Sequence, residues 1–508
     1  MGPVTTSTNP HSSPPVNNGG FVLRNTVIVV LVAAAATVGG LFVLPQMGRT
    51  VITVGATAQL ELLLLRHPLP DDLRIRHVPA GQERQAQLTT LLIDWKLPTV
   101  MPVDREVRPV MATTLVPWVS LLDPRTAIYL FELTSFPATI DVALSPLAEV
   151  GLPYRALPVQ GLYPGQPGYP LVTRLAVAFD PEVSSLAEWV RGLPVPTTHP
   201  PVGWIGAVGD IMPGRGVDLA LLDPAAGPEW VFGDLLPFLQ APDLMLGNLE
   251  AVATRRGRPA DKTFTFRFNP DALGPLARAG FDYVSVANNH SFDYGEIGFG
   301  DTLAALSAVG LATSGGGVDR TAARVPYRTT LPDGSRVLVL GIGAHPVESS
   351  GFDGRLEQTA RDDRAGILWA DGDTLELIRT SIRPREAAVI VVHGGAEWTD
   401  TPAQEVRALY RSFIDAGARV VVGSHPHFLQ GYEAYSGGLI LYSLGNFVFP
   451  GMQETGFGEE TAIARIGIWG GEVRYVEFIP ARIEGRQVRR GGDRTLERLR
   501  QLSLLMEG

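Results

Sequence analysis

Between Gly203 and Phe449 the chain repeats one pattern: a short apolar run that stops on a residue able to bind a metal ion or move a proton. Gly203-Trp-Ile-Gly-Ala-Val-Gly-Asp210 stops on Asp210, and Asp243-Leu-Met-Leu-Gly-Asn-Leu-Glu250 on Asn248 and Glu250. Tyr283-Val-Ser-Val-Ala-Asn-Asn-His290 stops on Asn289 and His290, and Ala388-Val-Ile-Val-Val-His393 on His393. Arg419-Val-Val-Val-Gly-Ser-His-Pro-His427 supplies His425 and His427. Short apolar runs bounded by turn signals are the signature of strands buried on both faces. Helical patterns near 270–279, 297–309, 374–382 and 402–416 alternate with these runs, and Gly470-Gly471 joins two strand-like stretches across 461–479. The expectation is a layered α/β domain with largely parallel sheet, whose ligands bind outside the carboxyl ends of the strands, where these residues lie.

The rest of the chain divides around that domain. Residues 1–24 read as a disordered tail, rich in Ser, Thr, Asn, Pro and Gly at its start. Residues 25–46 carry no charge and include Val27-Ile-Val-Val-Leu-Val-Ala-Ala-Ala-Ala36 and Leu41-Phe-Val-Leu44. A bilayer span needs about 20 apolar residues, whereas a cleaved signal has a shorter apolar region and a small-residue cleavage site; 25–46 reads as a single uncleaved anchor. Residues 50–192 read as a smaller α/β domain of unknown role, with a diffuse likeness to solute-binding domains. Leu193-Pro-Val-Pro-Thr-Thr-His-Pro-Pro201 is a proline-rich linker. The main domain then occupies 202–485, and 486–508 ends in leucines at helical spacing, a C-terminal helix.

Composition removes several function classes. A net charge of −10 argues against a nucleic-acid binder, which needs a basic face. The chain has no cysteine, so thiolate metal sites and a Cys nucleophile are excluded. What remains at the strand ends is Asp, Glu, Asn and His, an oxygen and imidazole set that suits Mn, Zn, Fe or Mg. A carboxylate in such a set can bridge two ions roughly 3.5–4 Å apart, as in sites that hydrolyse phosphate esters, and a histidine off the metal can protonate a leaving group. His425 and His427, two residues apart, point the same way if the backbone there is extended. Arg215 follows Asp210 closely enough to meet a carboxylate or phosphate. His345 is a further strand-end histidine, at the periphery of the expected site. Lys262 and Arg267 flank an alternating Thr-Phe-Thr-Phe stretch and are candidates to line the same cleft.

Several motifs carry a family resemblance. Gly209-Asp-Ile-Met-Pro-Gly-Arg215, Gly247-Asn-Leu-Glu250, Ala287-Asn-Asn-His-Ser-Phe-Asp-Tyr-Gly295, His393-Gly-Gly-Ala-Glu397, Gly423-Ser-His-Pro-His427 and Tyr442-Ser-Leu-Gly-Asn-Phe447 occur in order. They resemble the CapA family of capsule-synthesis or poly-gamma-glutamate biosynthesis proteins, which is similar to calcineurin-like metallophosphoesterases. The resemblance covers about 203–480. It implies a metallophosphatase-like β-sandwich flanked by helices. It also implies one or two divalent ions held by Asp210, Glu250, Asn289, His393, His425 and His427, with His290 and Arg215 as catalytic residues and Asn248 and Asn446 at the substrate. The implied setting is a single-pass protein of the cell membrane with its bulk outside the cytoplasm, acting on an anionic polymer or cell-envelope substrate beside membrane synthase subunits. Two alternatives stay open: a metal-dependent hydrolase of phosphoesters or of cell-wall or polymer amide bonds, and a non-catalytic scaffold of a synthase complex. The chain departs from the wider phosphoesterase pattern at Met212, where that pattern has His, and at Glu250, where it has Asp.

Overall fold

The computed structural model describes residues 50–55, 73–78, 91–94, 106–125, 143–146, 150–164, 166, 169, 172–179, 184–193, 202–452 and 455–506. The expected tail at 1–24, the expected anchor at 25–46 and the linker at 193–201 lie outside these residues, Leu193 apart. Among the described residues no helix is long and apolar enough to cross a membrane. The chain forms two compact units, Met1–Thr113 with Thr173–Thr197, and Thr114–Val172 with Thr198–Gly508. Residues 114–172, which the sequence reading grouped with 50–192, therefore cluster with the larger unit.

The first unit holds parallel strands Thr50–Gly55 and Leu73–Val78, with Leu91–Asp94 parallel to the first and antiparallel to Val172–Phe179. Strand Glu106–Ser120 was not foreseen, because Pro109 and Pro117 interrupt its apolar alternation.

The larger unit is a mixed α/β structure built on two sheets. One runs in the order Tyr283–Ser285, Leu244–Leu249, Gly203–Ile211, Glu460–Trp469, Glu472–Glu484, Gln487–Arg490, with Asn446–Val448 beside the end of Gly203–Ile211. The other runs Tyr327–Thr330, Arg336–Ala344, Glu386–Gly394, Val420–Ser424, Gly438–Leu441, Tyr432–Tyr435. The strands that carry the candidate residues run parallel to one another within each sheet, and Gly203–Ile211 is antiparallel to Glu460–Trp469 on its other side. The stretch assigned to a C-terminal helix begins instead with a strand. Residues 487–490 pair antiparallel with Glu472–Glu484 after a turn at Gly485, and the helix spans Asp493–Leu504.

Period-two alternation sets the layers. Val337, Val339, Val389, Val391, Val420 and Val422 face Ile205, Ala207, Leu244 and Leu246 between the sheets. Leu338, Leu340, Ile342, Ala388, Ile390 and Val392 face outward onto helices Gly372–Ser381 and Gln404–Asp415. The outer face of the first sheet packs on helix Gly295–Val309 and shorter helices between 217 and 278. Burying both faces explains why these strands read as unbroken apolar runs. Each fully buried Val, Leu or Ile contributes about 1.5–3 kcal/mol relative to exposure.

Candidate metal centre

Strand register assembles the site. Asp210 pairs with Asn248 and with Asn446 across neighbouring strands, and His393 pairs with Ser424 in the opposite sheet. Asn248 shares the inward parity of Leu244 and Leu246, and His393 that of Val389 and Val391, so both point between the sheets. The close approach of Asn446–Val448 needs a glycine before Asp210. A Cβ on Gly209 would lie 1.8 Å from the Gly445 carbonyl oxygen, which accepts from the Asp210 N–H at 3.0 Å.

Nine of the ten predicted site residues converge in one buried cluster. Asn248 donates to Asp210 Oδ1 at 2.8 Å and its amide nitrogen lies 3.1 Å from His393 Nδ1. His393 Nε2 lies 2.9 Å from Asn289 Oδ1 and 3.1 Å from His425 Nδ1. A proton on Nε2 lets that nitrogen donate to Asn289 while Nδ1 accepts from Asn248. The His425 N–H donates to Asp210 Oδ2 at 3.2 Å, and His427 Nδ1 lies 3.5 Å from the same oxygen and 2.9 Å from Asn446 Oδ1. Glu250 Oε1 stands 3.7 Å from His393 Nε2 and 3.9 Å from His290 Nε2. His290 itself is held by Asp293, whose Oδ2 is 2.6 Å from Nδ1.

The tenth residue, Arg215, touches the cluster through aromatic rings. Its guanidinium lies 5.0 Å from the Phe266 ring and 5.8 Å from the Phe449 ring, and Nη1 donates to the Pro450 carbonyl at 2.6 Å. The Phe266 ring is 4.3 Å from His290 and the Phe449 ring 5.2 Å from His427.

The turn carrying the histidine pair differs from expectation. The backbone is not extended there: φ is 98° at His425 and 60° at His427. Left-handed conformations are costly away from glycine, and here they are held by the Asp210 bond to the His425 N–H and by the Trp398 N–H donating to the Pro426 carbonyl at 2.9 Å. Both imidazoles still reach the cluster, through a turn rather than through strand parity. Met212 is fully buried in the apolar cluster on the outer face of the first sheet, so position 212 contributes packing.

Sequence reasoning missed Asn288 and Asp293 as supports, and it named Lys262 for the cleft without its supporting role. Asn288 bridges the Asn248 side chain and the Leu249 carbonyl, at 3.1 and 2.8 Å. Lys262 has a fully buried side chain and donates to the Asn289 carbonyl at 2.8 Å and to Asp293 Oδ1 at 2.9 Å, with Glu348 Oε1 at 2.8 Å. The spacing of His290 and Asp293, three residues apart, was the one signal available for that pair. His345, expected at the periphery, sits there: its ring is 6.2 Å from His393 and 6.0 Å from His425, and Nε2 is 3.1 Å from Gln358 Oε1.

Electrostatics separates the two carboxylates. Burial alone raises Asp210, but hydrogen bonds and charge from His393 and His427 outweigh it and hold this carboxyl well below its ordinary range. Glu250 goes the other way: burial, then the Asp210 charge, push it well above. Burial lowers His393, His425 and His290, and brings His345 down to about 3, while Asp210 overcomes burial to raise His427. Both Glu250 oxygens are buried without a hydrogen-bond partner. They lie in two overlapping groups, Glu250 with His393 and His425, and Asp210 with Glu250 and His427, whose ligating atoms fall within 4.8 Å of one another. An orphaned buried carboxylate ringed by largely neutral imidazoles is the donor set a divalent cation satisfies.

Comparison with known proteins places this geometry. The family described as bacterial capsule synthesis protein PGA_cap matches residues 204–451, a range that contains every residue of the cluster. The chain is 33% identical over 245 residues to the PGA biosynthesis protein CapA of Bacillus subtilis, covering 48% of this chain and 62% of that one. It is 32% identical over 252 residues to the capsule biosynthesis protein CapA of Bacillus anthracis, covering 48% and 58%. It thus spans less than two thirds of either Bacillus relative. Over 281 residues it is 32% identical to a Mycobacterium tuberculosis protein named "Probable polyglutamine synthesis accessory protein", covering 47% of this chain and 72% of that one. The shared stretch in each case is close in length to the family match, and on these matches the chain belongs to the bacterial capsule synthesis protein family, PGA_cap.

Proposed function

We propose that this protein serves in bacterial capsule or poly-gamma-glutamate biosynthesis, as a membrane-anchored protein whose external domain uses a divalent-metal site on an anionic polymer or cell-envelope substrate. Family membership supports the biological setting, and the names of the relatives supply the polymer. The two packed sheets with flanking helices support a metallophosphatase-like reading of the fold. One observation carries the site: the Glu250 carboxylate is buried with neither oxygen bonded, amid Asp210, His393, His425 and His427. Those residues, with Asn289, would hold the ion, and Mn, Zn, Fe and Mg all suit the donor set. When bound, such an ion supplies Lewis-acid polarisation of a phosphoryl or acyl oxygen and a lowered pKa for water.

The chain's own groups divide the remaining work. Asp293 accepts the Nδ1–H of His290 and fixes the ring, which leaves Nε2 of the neutral imidazole facing Glu250, free to take a proton from an attacking water and, as imidazolium, to pass it to a departing group. Asn248 and Asn446 orient Asp210 and His427, so their first task is positioning rather than substrate contact. The His290–Asp293 pair favours a second reading within the same site, hydrolysis of phosphoesters or of polymer amides, because pure scaffolding has no use for an oriented imidazole. Membrane synthase subunits are the proposed partners.

Metal analysis of purified protein, with binding and hydrolysis assays on poly-gamma-glutamate and p-nitrophenyl phosphate, tests this reading. We expect bound Mn, Zn or Fe that Glu250→Gln removes, and turnover, where present, that His290→Ala abolishes. Protein that takes up no divalent metal and is inert toward both substrates overturns the metal site and leaves a scaffold.

A further inference from the structure

Seven residues other than glycine have positive φ among the described residues, and four of them, Arg215, Trp398, His425 and His427, surround the metal centre. The two histidines belong to the centre. Trp398 does not, yet its backbone is held at φ 62°. A bulky side chain adopts this conformation only where the surroundings enforce it, and such strain gathers at functional sites. Burial does not explain the strain, because Trp398 keeps 42% of its surface exposed. What the conformation achieves is placement. The indole lies 4.9 Å from the His427 ring at an interplanar angle of 36°, with the backbone tied to Pro426. Phe428 meets its edge at 5.8 Å.

Phe449 also packs against His427 and leads to Arg215, the fourth strained residue, whose exposed guanidinium rests on two phenylalanine rings. Among the described residues no carboxylate is within ion-pair distance of it. The centre thus has beside it an exposed flat indole and an exposed cation, both held in left-handed backbone conformations.

We infer that Trp398 and Arg215 are the substrate-holding arms of this centre, taking a repeat unit that presents a flat face to the indole and a carboxylate or phosphate to the guanidinium. The inference rests on the polymer reading for its choice of ligand. An anionic polyamide and an anionic polysaccharide share this chemistry, so the test includes both.

Binding of hexa-gamma-glutamate and of a hexuronate oligosaccharide to the full-length protein, measured by calorimetry beside thermal melting, decides it. Trp398→Gly removes the platform and also relieves the left-handed strain, since glycine occupies this region freely. We expect a melting temperature equal to or above that of the unmodified protein, with affinity for the preferred oligomer reduced about tenfold, the equivalent of 1.4 kcal/mol. Arg215→Gln should weaken that oligomer at least as much and remove the salt dependence of its binding. Oligomer binding unchanged in both variants overturns the arms and leaves the polymer reading intact. A large fall in melting temperature for Trp398→Gly, with affinity retained, overturns them also, because it makes the indole a packing element. Unmodified protein that binds neither oligomer overturns both readings.

Discussion

Replacing Glu250 with Gln should make the metal-free protein more stable and the metal-loaded protein less so. In the structure both Glu250 oxygens are buried and unbonded, and the neighbouring Asp210 charge opposes ionisation. A buried polar group without a partner costs about 1–3 kcal/mol. A glutamine amide removes the like charge and can donate toward Asp210 or an imidazole nitrogen, so the variant should recover about that amount in the presence of chelator. In a domain of 150–250 residues each kcal/mol moves the melting temperature by about 2–4 °C.

Adding Mn reverses the order. A ligand at a hundred times its dissociation constant stabilises the protein that binds it by about 2.7 kcal/mol, and the neutral amide gives up the charge that attracts the ion. Thermal or urea denaturation of both proteins, in EDTA and then in excess Mn, reads the two effects separately. The reasoning is refuted if the variant is no more stable than the unmodified protein in EDTA and gains as much from Mn, because Glu250 would then be neither strained when empty nor a ligand when filled.

Other perturbations follow from the same structure. Lys262→Met leaves Asp293 and Glu348 facing a cation that is no longer there; losing one partner of a buried ion pair costs about 3–5 kcal/mol, and Asp293→Asn in the same chain should return part of it in chemical denaturation. Gly209→Ala puts a methyl 1.8 Å from the Gly445 carbonyl, so strand Asn446–Val448 must move; a loss of at least ~1–3 kcal/mol is expected, with weaker Mn binding as Asp210 shifts, and normal melting and metal affinity would contradict it. Glu477 accepts from Tyr163 at 2.5 Å and pairs with Arg465 at 3.1 Å, yet burial raises its carboxyl above the ordinary 4.5. Above pH 4.5 the unfolded chain gives up this proton before the folded one does, so the folded state binds more protons and stability falls as pH rises, until the folded carboxyl has also ionised. Glu477→Gln should remove that falling component from a pH series of urea melts, and an unchanged slope would count against it.

The main strands were legible because both of their faces are buried. Arg336–Ala344 and Glu386–Gly394 show no polar alternation, and their apolar runs end where the strands end, which put His393 at a strand terminus before any coordinates. Elements with one wet face or an interrupting proline were harder. Glu106–Ser120 contains two prolines and was missed, and Gln487–Arg490 has charged residues that merged with the helix after it. The His425–His427 turn misled because parity was applied to residues just beyond the end of Val420–Ser424, where the chain had already left the extended region.

Within the site, residue types could nominate candidates but could not rank their charges. Asp210 and Glu250 look alike in the sequence: each is an acid at the end of an apolar run in the same sheet. In the fold Asp210 accepts from Asn248 and from the His425 backbone and stands beside two imidazoles, so it stays ionised. Glu250 receives no hydrogen bond and is buried beside Asp210, so its carboxyl is pushed above its ordinary range. That opposition is set by Asn248, His393 and the His425–His427 turn, which come from three chain segments, and by a one-residue shift in register between Ala207 and Asp210. The same logic separates supports from ligands. Lys262 is far from His290 in the sequence, yet it neutralises Asp293, which orients His290. A cation arriving at Glu250 acts on the one carboxylate in this cluster that the protein leaves unsatisfied, which makes the emptiness of its bonding, more than its identity as an acid, the mark of the site.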